Sequence, residues 1–367
     1  MSDAGHRGSV PYDPAPLPVE EAVEMYLNRR RSDSDTTVGT VETHLKRLNY
    51  LIEFCELEDI ENICDLRGHH LERYREWRRT EATTKVESLA AKTIAEHMKT
   101  IRVFLRSMEQ MEYVYPGMAD RVHVPGLSDE DEVNEDILEY DRAQNILSYI
   151  AKSEPWTADH SVWELFVRNG VRLCTARAPD IEDYHSEADV PYIELHHRPD
   201  TDTRLKNGTD SERKVFLEEQ TAKVLDRYIE HNHPKETDKH GRMPLIGTVH
   251  GRPNKSTIRG MVYKWTRPCH LNKPCPHGKT PDNCEAASSR ETPSACPSMR
   301  SPHPIRKGYV THLAEEGVPP RIVGDRVDAD PEVLKKHYDQ SDDEAKMRVR
   351  QELIEHALDD ADEENWY

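Results

Sequence analysis

Residues 126–141 hold eight acidic side chains and no basic one, directly after Pro125-Gly126. Like charges at this density repel when packed, and a Pro-Gly step interrupts helix and strand alike. Such a stretch cannot lie in a core, so it divides the 367-residue chain into two bodies, each long enough for its own. Ahead of it the apolar residues recur at helical spacing. Val19, Ala22, Val23, Tyr26 and Leu27 predict a helix from Pro18 to Arg30. Val41, Leu45, Leu48, Leu51 and Ile52 mark a second, Leu71 to Arg79 a third, and Ile94, Met98, Ile101, Leu105 and Met108 a fourth. Stripes of this kind are core faces far more often than anything else.

Behind the acidic run the pattern is mixed. Tyr140–Lys152 and Ser161–Arg168 predict helices, and Tyr192–His196 with Arg213–Leu217 predicts a pair of strands, with turn chemistry at Asn207-Gly208 between them. Helices are expected again over Gln220–His231, Ser256–Thr266, Arg306–Gly317 and Pro320–Val327.

The net charge of −19 argues against a nucleic-acid partner until it is located. Most of it lies in 126–141 and in 339–367, where eleven acids face three bases. By contrast, residues 66–106 carry ten Lys/Arg against five Asp/Glu, and 252–307 eleven against three. The distribution fits a DNA-binding body with an acidic linker and tail. Within the first basic stretch Arg73, Arg75, Arg78, Arg79, Lys92, Lys99, Arg102 and Arg106 form either a phosphate-facing series or a merely solvated helix face. The acidic surplus, with 32 Arg over 18 Lys, also suits the cytoplasm of a salt-adapted organism such as an archaeon. No apolar run is long enough for a membrane span. Residues 1–17 read as a disordered lead rather than a signal peptide, and the expected location is the cytoplasm.

Near the C-terminus, His303-Pro304-Ile305-Arg306 is followed by Lys336-His337-Tyr338-Asp339. Phosphate chemistry without a metal needs such a set. Arginine grips a non-bridging oxygen with a fixed fork, imidazole donates a hydrogen bond, and a phenol attacks phosphorus. A bare H-x-x-R occurs by chance in many proteins; the order of the motifs carries the case. Upstream, Asn169-Gly170-Val171-Arg172 offers a second arginine after a turn glycine, with Arg177 and Asp180 as a rival placement, and Lys206 sits between the two expected strands.

Four helices, a linker, and a mixed domain ending in these motifs resemble the tyrosine recombinases of the phage-integrase and Xer type, over roughly residues 18–350. The resemblance implies a mainly α fold with a small β-sheet. An N-terminal four-helix, SAM-like core-binding domain (18–118) would be joined by an acidic linker (119–141) to an α+β catalytic domain (142–340). The catalytic domain would carry a Cys-rich insert (267–300), with an acidic tail (341–367) behind it. By the same resemblance Arg172 stands in the T-G-x-R box, Lys206 is the hairpin general acid, His303 and Arg306 form H-x-x-R, and Tyr338 is the nucleophile. The family's L-G-H triplet becomes Val327-Asp328-Ala329, so its second phosphate-binding His or Trp is missing. The implied activity is site-specific cleavage and rejoining of double-stranded DNA through a 3′-phosphotyrosyl link, without ATP, catalytic cofactor or small-molecule substrate. Four protomers would act on two sites, each closing as a clamp on the duplex. A type IB topoisomerase-like relaxase and a catalytically degenerate DNA-binding regulator remain open alternatives.

Cys269, Cys275, Cys284 and Cys296 follow a C-x5-C-x8-C-x11-C spacing with His270 and His277 interleaved, among Pro, Gly, Ser and Asn. A segment so poor in apolar residues can hardly bury a core. A structural Zn²⁺ on the four thiolates would fix it; free thiols in a loop are the bland alternative, and disulfides are not expected in a cytoplasmic protein. Cys55, Cys64 and Cys174 read as buried small hydrophobes. Met347, Leu353, Ile354, Ala357 and Leu358 suggest a tail helix that docks on a neighbouring protomer or on its own domain.

Overall fold

The apolar stripes of the first hundred residues fold as four helices in the computed structural model: α1 (Val19–Ser32), α2 (Val38–Leu57), α3 (Gly68–Thr80) and α4 (Ala91–Gln110). The structure describes residues 13–33, 36–83, 86–128, 136–288 and 292–338, together with Met347, Gln351 and Glu355; for 335–338 it describes the backbone alone. The proposed tail helix therefore lies essentially outside the described residues. Two compact units divide the chain between Glu135 and Asp136.

In the first unit, α1 carries Glu20 and Glu21 in its first turn and Arg29, Arg30 and Arg31 in its last, which suits the helix dipole at both ends. Thr37 caps α2 by accepting from the Thr40 amide at 3.1 Å. Tyr26, Phe54, Tyr74 and Phe104 are fully buried, with Phe54 edge-on to Tyr74 at 5.4 Å between centroids. Each such ring contributes about 2 kcal/mol of burial. Leu45, expected on the core stripe of α2, is 37% exposed at the margin of that face. Ala119 and Val122 belong to this core, so the stretch expected to be linker begins as packed chain.

The basic series of α3 and α4 splits in two. Arg78 is buried, its guanidinium 3.6 Å from the centroid of the Tyr50 ring, and Arg102 donates to the Val122 carbonyl at 2.6 Å. These two arginines hold the fold together. Arg73, Arg75, Lys99 and Arg106 stay at the surface in ion pairs with Glu81, Glu72, Glu96 and Asp120. Exposed pairs of this kind contribute at most about 1 kcal/mol and give way readily to another anion.

The second unit is built on α6 (Ala158–Asn169), which is buried on nearly every face. Packed about it are α5 (Tyr140–Ser153), α8 (Glu219–His231), α9 (Lys255–Thr266) and α11 (Pro302–Glu315). Leu138 opens this core, its amide donating to the Pro304 carbonyl at 3.1 Å. A short helix α7 (Leu173–Arg177), not expected from sequence, leads into a three-stranded antiparallel sheet. Its strands are β1 (Tyr184–His185), β2 (Tyr192–Leu195) and β3 (Arg213–Phe216), with Ile193 opposite Val215 and Leu195 opposite Arg213. A single turn, α10 (Glu285–Ser288), lies in the Cys-rich insert, and α12 (Pro320–Val327) and α13 (Pro331–Tyr338) follow α11. Tyr309, Val310, Val323, Val327 and Leu334 form a small separate core for those last three helices. Among the described residues no helix is long and apolar enough to cross a membrane.

His97 of α4 gives the first unit a pH dependence. The ring is buried against Tyr50, its Nδ1 has no hydrogen-bond partner, and burial, reinforced by Arg78 and Arg47, pushes its pKa down to about 4. An imidazole with a folded value below its unfolded value adds stability above pH 6.5 and loses it as pH falls toward 4. His97→Phe should therefore remove on the order of 3 kcal/mol of acid destabilisation across that window. Denaturant unfolding at a series of pH values checks it; identical slopes for wild type and variant would contradict it.

Candidate active site

Asn169 closes α6, and Gly170 turns the chain away in the left-handed conformation, at φ 56°. Glycine is required there twice over. The backbone disfavours a side chain, and a Cβ would lie 2.3 Å from the Tyr309 ring. The turn delivers Arg172 to the first position before α7 and leaves the Gly170 carbonyl facing α11. Arg306, in the first turns of α11, donates to that carbonyl at 2.8 Å and also to the carbonyl of Val327, the last residue of α12. One guanidinium thus joins three helices.

A third arginine completes the group. Arg213 starts β3 and donates to the carbonyls of Ser211 at 2.9 Å and Arg326 at 3.2 Å. Arg306 is 6% exposed, and burial first, then the nearby Arg172 charge, pushes its pKa down to about 9 against the pull of Asp328. Burial also pushes Arg213 down, with Asp328 opposing and Arg172 adding. Facing the three cations is one carboxylate, Asp328, ion-paired to Arg172. Its oxygens also accept from Ser211 Oγ at 2.8 Å and Asn207 Nδ2 at 3.1 Å. Three guanidiniums against one carboxylate leave a cationic excess in a largely dry place, which is the physical definition of an anion site.

The sequence-predicted residues divide as follows. Arg172 and Arg306 come together. The rival Arg177 does not join them: it donates to the Pro253 carbonyl at 2.8 Å and pairs with Asp202. Its companion Asp180 is buried among Arg198, Arg242 and Arg252. Lys206 lies exposed in the connection between β2 and β3, beside Asn207, whose side chain reaches the cluster. That connection is folded into two short 3₁₀ turns rather than one tight hairpin, because the strands end at Leu195 and Arg213. His303 is exposed in the first turn of α11, one helical turn before Arg306 and hence on the same side. Tyr338 is the last residue of α13; its side chain lies outside the described residues. Sequence reasoning missed Arg213 and Ser211 as members of the cluster, and missed Asp328, whose signal was a charged residue at a helix stop where glycine or asparagine fits best.

Cys269, Cys275, Cys284, Cys296 and His277 all line one cavity of about 70 Å³ in the insert. All seven cysteines are free, and Cys296 is buried. Cys64 and Cys174 are half-buried rather than the buried hydrophobes expected, whereas Cys55 is buried. His270 turns instead to the body of the unit, edge-on to Trp265 at 4.7 Å. Among the described residues no three His, Cys, Asp or Glu side chains already stand at metal-holding positions.

Gly170→Ala should cost about 3 kcal/mol, from left-handed strain and a ring displaced from a packed site. Denaturant unfolding measures it, and a loss under about 1 kcal/mol would contradict the close approach of Tyr309 to this turn.

No family model matches the chain, and no curated protein matches it in sequence. Solved structures do. The Tn1549 transposon integrase in complex with circular intermediate DNA aligns over 92% of this chain and 99% of its own, at 15% identity and a TM-score of 0.62. A lambda integrase dimer bound to a COC′ core site aligns over 88% of this chain and 77% of its own, at 11% identity and a TM-score of 0.57. The chain has the mainly helical fold, with a small β-sheet, of the integrases of the tyrosine recombinase type.

Proposed function

We propose that this chain is a site-specific DNA recombinase that cuts and reseals double-stranded DNA through a 3′-phosphotyrosyl intermediate. The observation that carries the reading is the convergence of Arg172, Arg213 and Arg306, with net positive charge, inside the fold of integrases solved on DNA. A phosphodiester carries one negative charge and presents two non-bridging oxygens, which suits guanidinium forks.

In the proposed reaction Arg172 and Arg306 clamp the scissile phosphate and His303 donates to it. The Tyr338 phenol oxygen attacks phosphorus and gives up its proton to solvent, the bond from phosphorus to the 5′ oxygen breaks, and Lys206 gives that oxygen a proton that solvent then restores to the amine. The phosphate ester bond lost is replaced by the phosphotyrosyl bond formed, so ATP is not needed. A 5′-hydroxyl of a partner strand then attacks the link and releases Tyr338. Exposed bases of α3 and α4, now paired to carboxylates, would exchange them for backbone phosphates. On this reading four protomers would act on two DNA sites, in the cytoplasm. Ala329 stands where the resemblance places a further donor, a loss worth about 10²–10³ in rate. That residue favours one second reading, a DNA-binding regulator without chemistry.

A nicked suicide duplex taken from the junctions flanking the gene, incubated with the protein in EDTA, tests the two. Wild type should give an SDS-resistant protein–DNA adduct, Tyr338→Phe none, and Arg172→Ala an adduct formed at least about 10²-fold more slowly. Firm DNA binding with no adduct would overturn the recombinase reading in favour of the regulator.

For the insert we propose a structural Zn²⁺ held by Cys269, Cys275, Cys284 and Cys296. Four cysteines lining one small cavity, in a segment with almost no buried apolar residues, suit that ion's preference for soft ligands and its capacity to replace a core. Purified protein should contain one zinc per chain by elemental analysis, released when a mercurial titrates the thiols, with Cys275→Ser and Cys284→Ser reducing the content. Zinc-free wild type with four freely titrating thiols in the insert would contradict it.

A further inference from the structure

α12 ends at Val327, and Asp328 follows in the left-handed conformation, at φ 57° and ψ 60°. Glycine fits that backbone best and aspartate tolerates it, so ending the helix does not by itself require a carboxylate. Its side chain is only 10% exposed. One carboxylate oxygen pairs with Arg172 and accepts from Ser211 Oγ at 2.8 Å; the other accepts from Asn207 Nδ2 at 3.1 Å. A guanidinium, a hydroxyl and an amide around one oxyanion are the partners that a phosphate oxygen would choose. Arg306 and Arg213 feel the same negative charge. A phosphodiester drawn to Arg172 would meet a second anion already seated there, and the two repel.

We propose that Asp328 is an internal stand-in for the scissile phosphate: it occupies Arg172 in the DNA-free chain and must be displaced before a phosphate can be clamped. The identity of the displacing anion rests on the recombinase reading. Displacement is an exchange of one ion pair for another, with no bond made or broken. Two consequences follow from the geometry. Asn207 and Ser211 lie on either side of residues 208–210 and close behind Lys206, so the carboxylate also latches the connection that carries the proposed general acid. Letting go of the carboxylate frees that connection to move. In addition, a single small anion competes poorly with a tethered carboxylate, whereas a phosphate presented by a duplex bound along the whole protein arrives at high effective concentration. Asp328 is a positioning residue: it makes the site answer to bound duplex and not to stray anions.

Inorganic sulfate is the probe, titrated calorimetrically at constant ionic strength into wild type, Asp328→Asn and Asp328→Gly, both of which suit the left-handed backbone. Each variant should bind sulfate at least tenfold more tightly than wild type, and adding Arg172→Ala to Asp328→Asn should abolish the gain. A role confined to ending α12 would move the melting temperature and leave sulfate affinity alone. Equal sulfate affinity in wild type and in a folded variant would overturn the proposal. Adduct formation on the suicide duplex, followed in the same proteins, keeps the two readings apart. Tighter sulfate binding without an adduct in any protein leaves the stand-in and removes the recombinase reading. Equal sulfate affinities with adducts formed at equal rates do the reverse.

Discussion

Three guanidinium groups held close together repel, and much of the second unit is arranged to keep them there. Arg306 is anchored by backbone carbonyls from the ends of α6 and α12, Arg213 by carbonyls of its own strand entrance and of α12, and Arg172 by the carboxylate of Asp328. Carbonyl oxygens attract a cation without cancelling its charge, so the cluster stays hungry for an anion while remaining ordered. The geometry depends on Gly170, since no other residue permits both the turn and the close approach of Tyr309. Arg326 braces the same region, donating to the Tyr309 hydroxyl at 2.6 Å and to the Asn169 side chain at 3.0 Å while its guanidinium stacks on Phe216.

A second charged network in the same unit shows what a saturated one looks like. Asp180, Asp183 and Asp238 are matched by Arg198, Arg242 and Arg252, nearly all of them buried or half-buried and each paired. Charges balance there, and donors and acceptors are spent on one another. Such a network fixes loops against the sheet and offers a ligand nothing, although removing one partner would leave buried charge uncompensated at a cost of several kcal/mol. The difference between a structural network and a binding site lies in the ratio of charges, not in the number of arginines.

Much of the fold was legible in the sequence because helix-forming stripes obey a period that burial enforces. Ile94, Met98, Ile101, Leu105 and Met108 are all buried, and β2 and β3 pair where alternation placed them. Short elements were not legible: α7 and β1 take their form from tertiary contacts rather than from periodicity. Arg78 shows the limit for charges, because a sequence does not say whether an arginine faces water or a tyrosine ring. At the candidate site, Gly170 gave the choice of Arg172 over Arg177 a physical basis, and the structure places Arg172 near Arg306 while Arg177 bonds elsewhere. Asp328 could be seen as a departure from the family's pattern, but its meaning needed three dimensions. Its partners Arg172, Asn207 and Ser211 lie more than a hundred residues away in the chain.

The central claim is a covalent one, that a phenol on α13 takes the phosphate gripped by the arginine cluster. Mass spectrometry of the proteolysed adduct from a suicide duplex tests it most directly. The account predicts a nucleotide attached through its 3′-phosphate to Tyr338, with a 5′-hydroxyl on the released strand. Attachment to another residue, or through a 5′-phosphate, would contradict it.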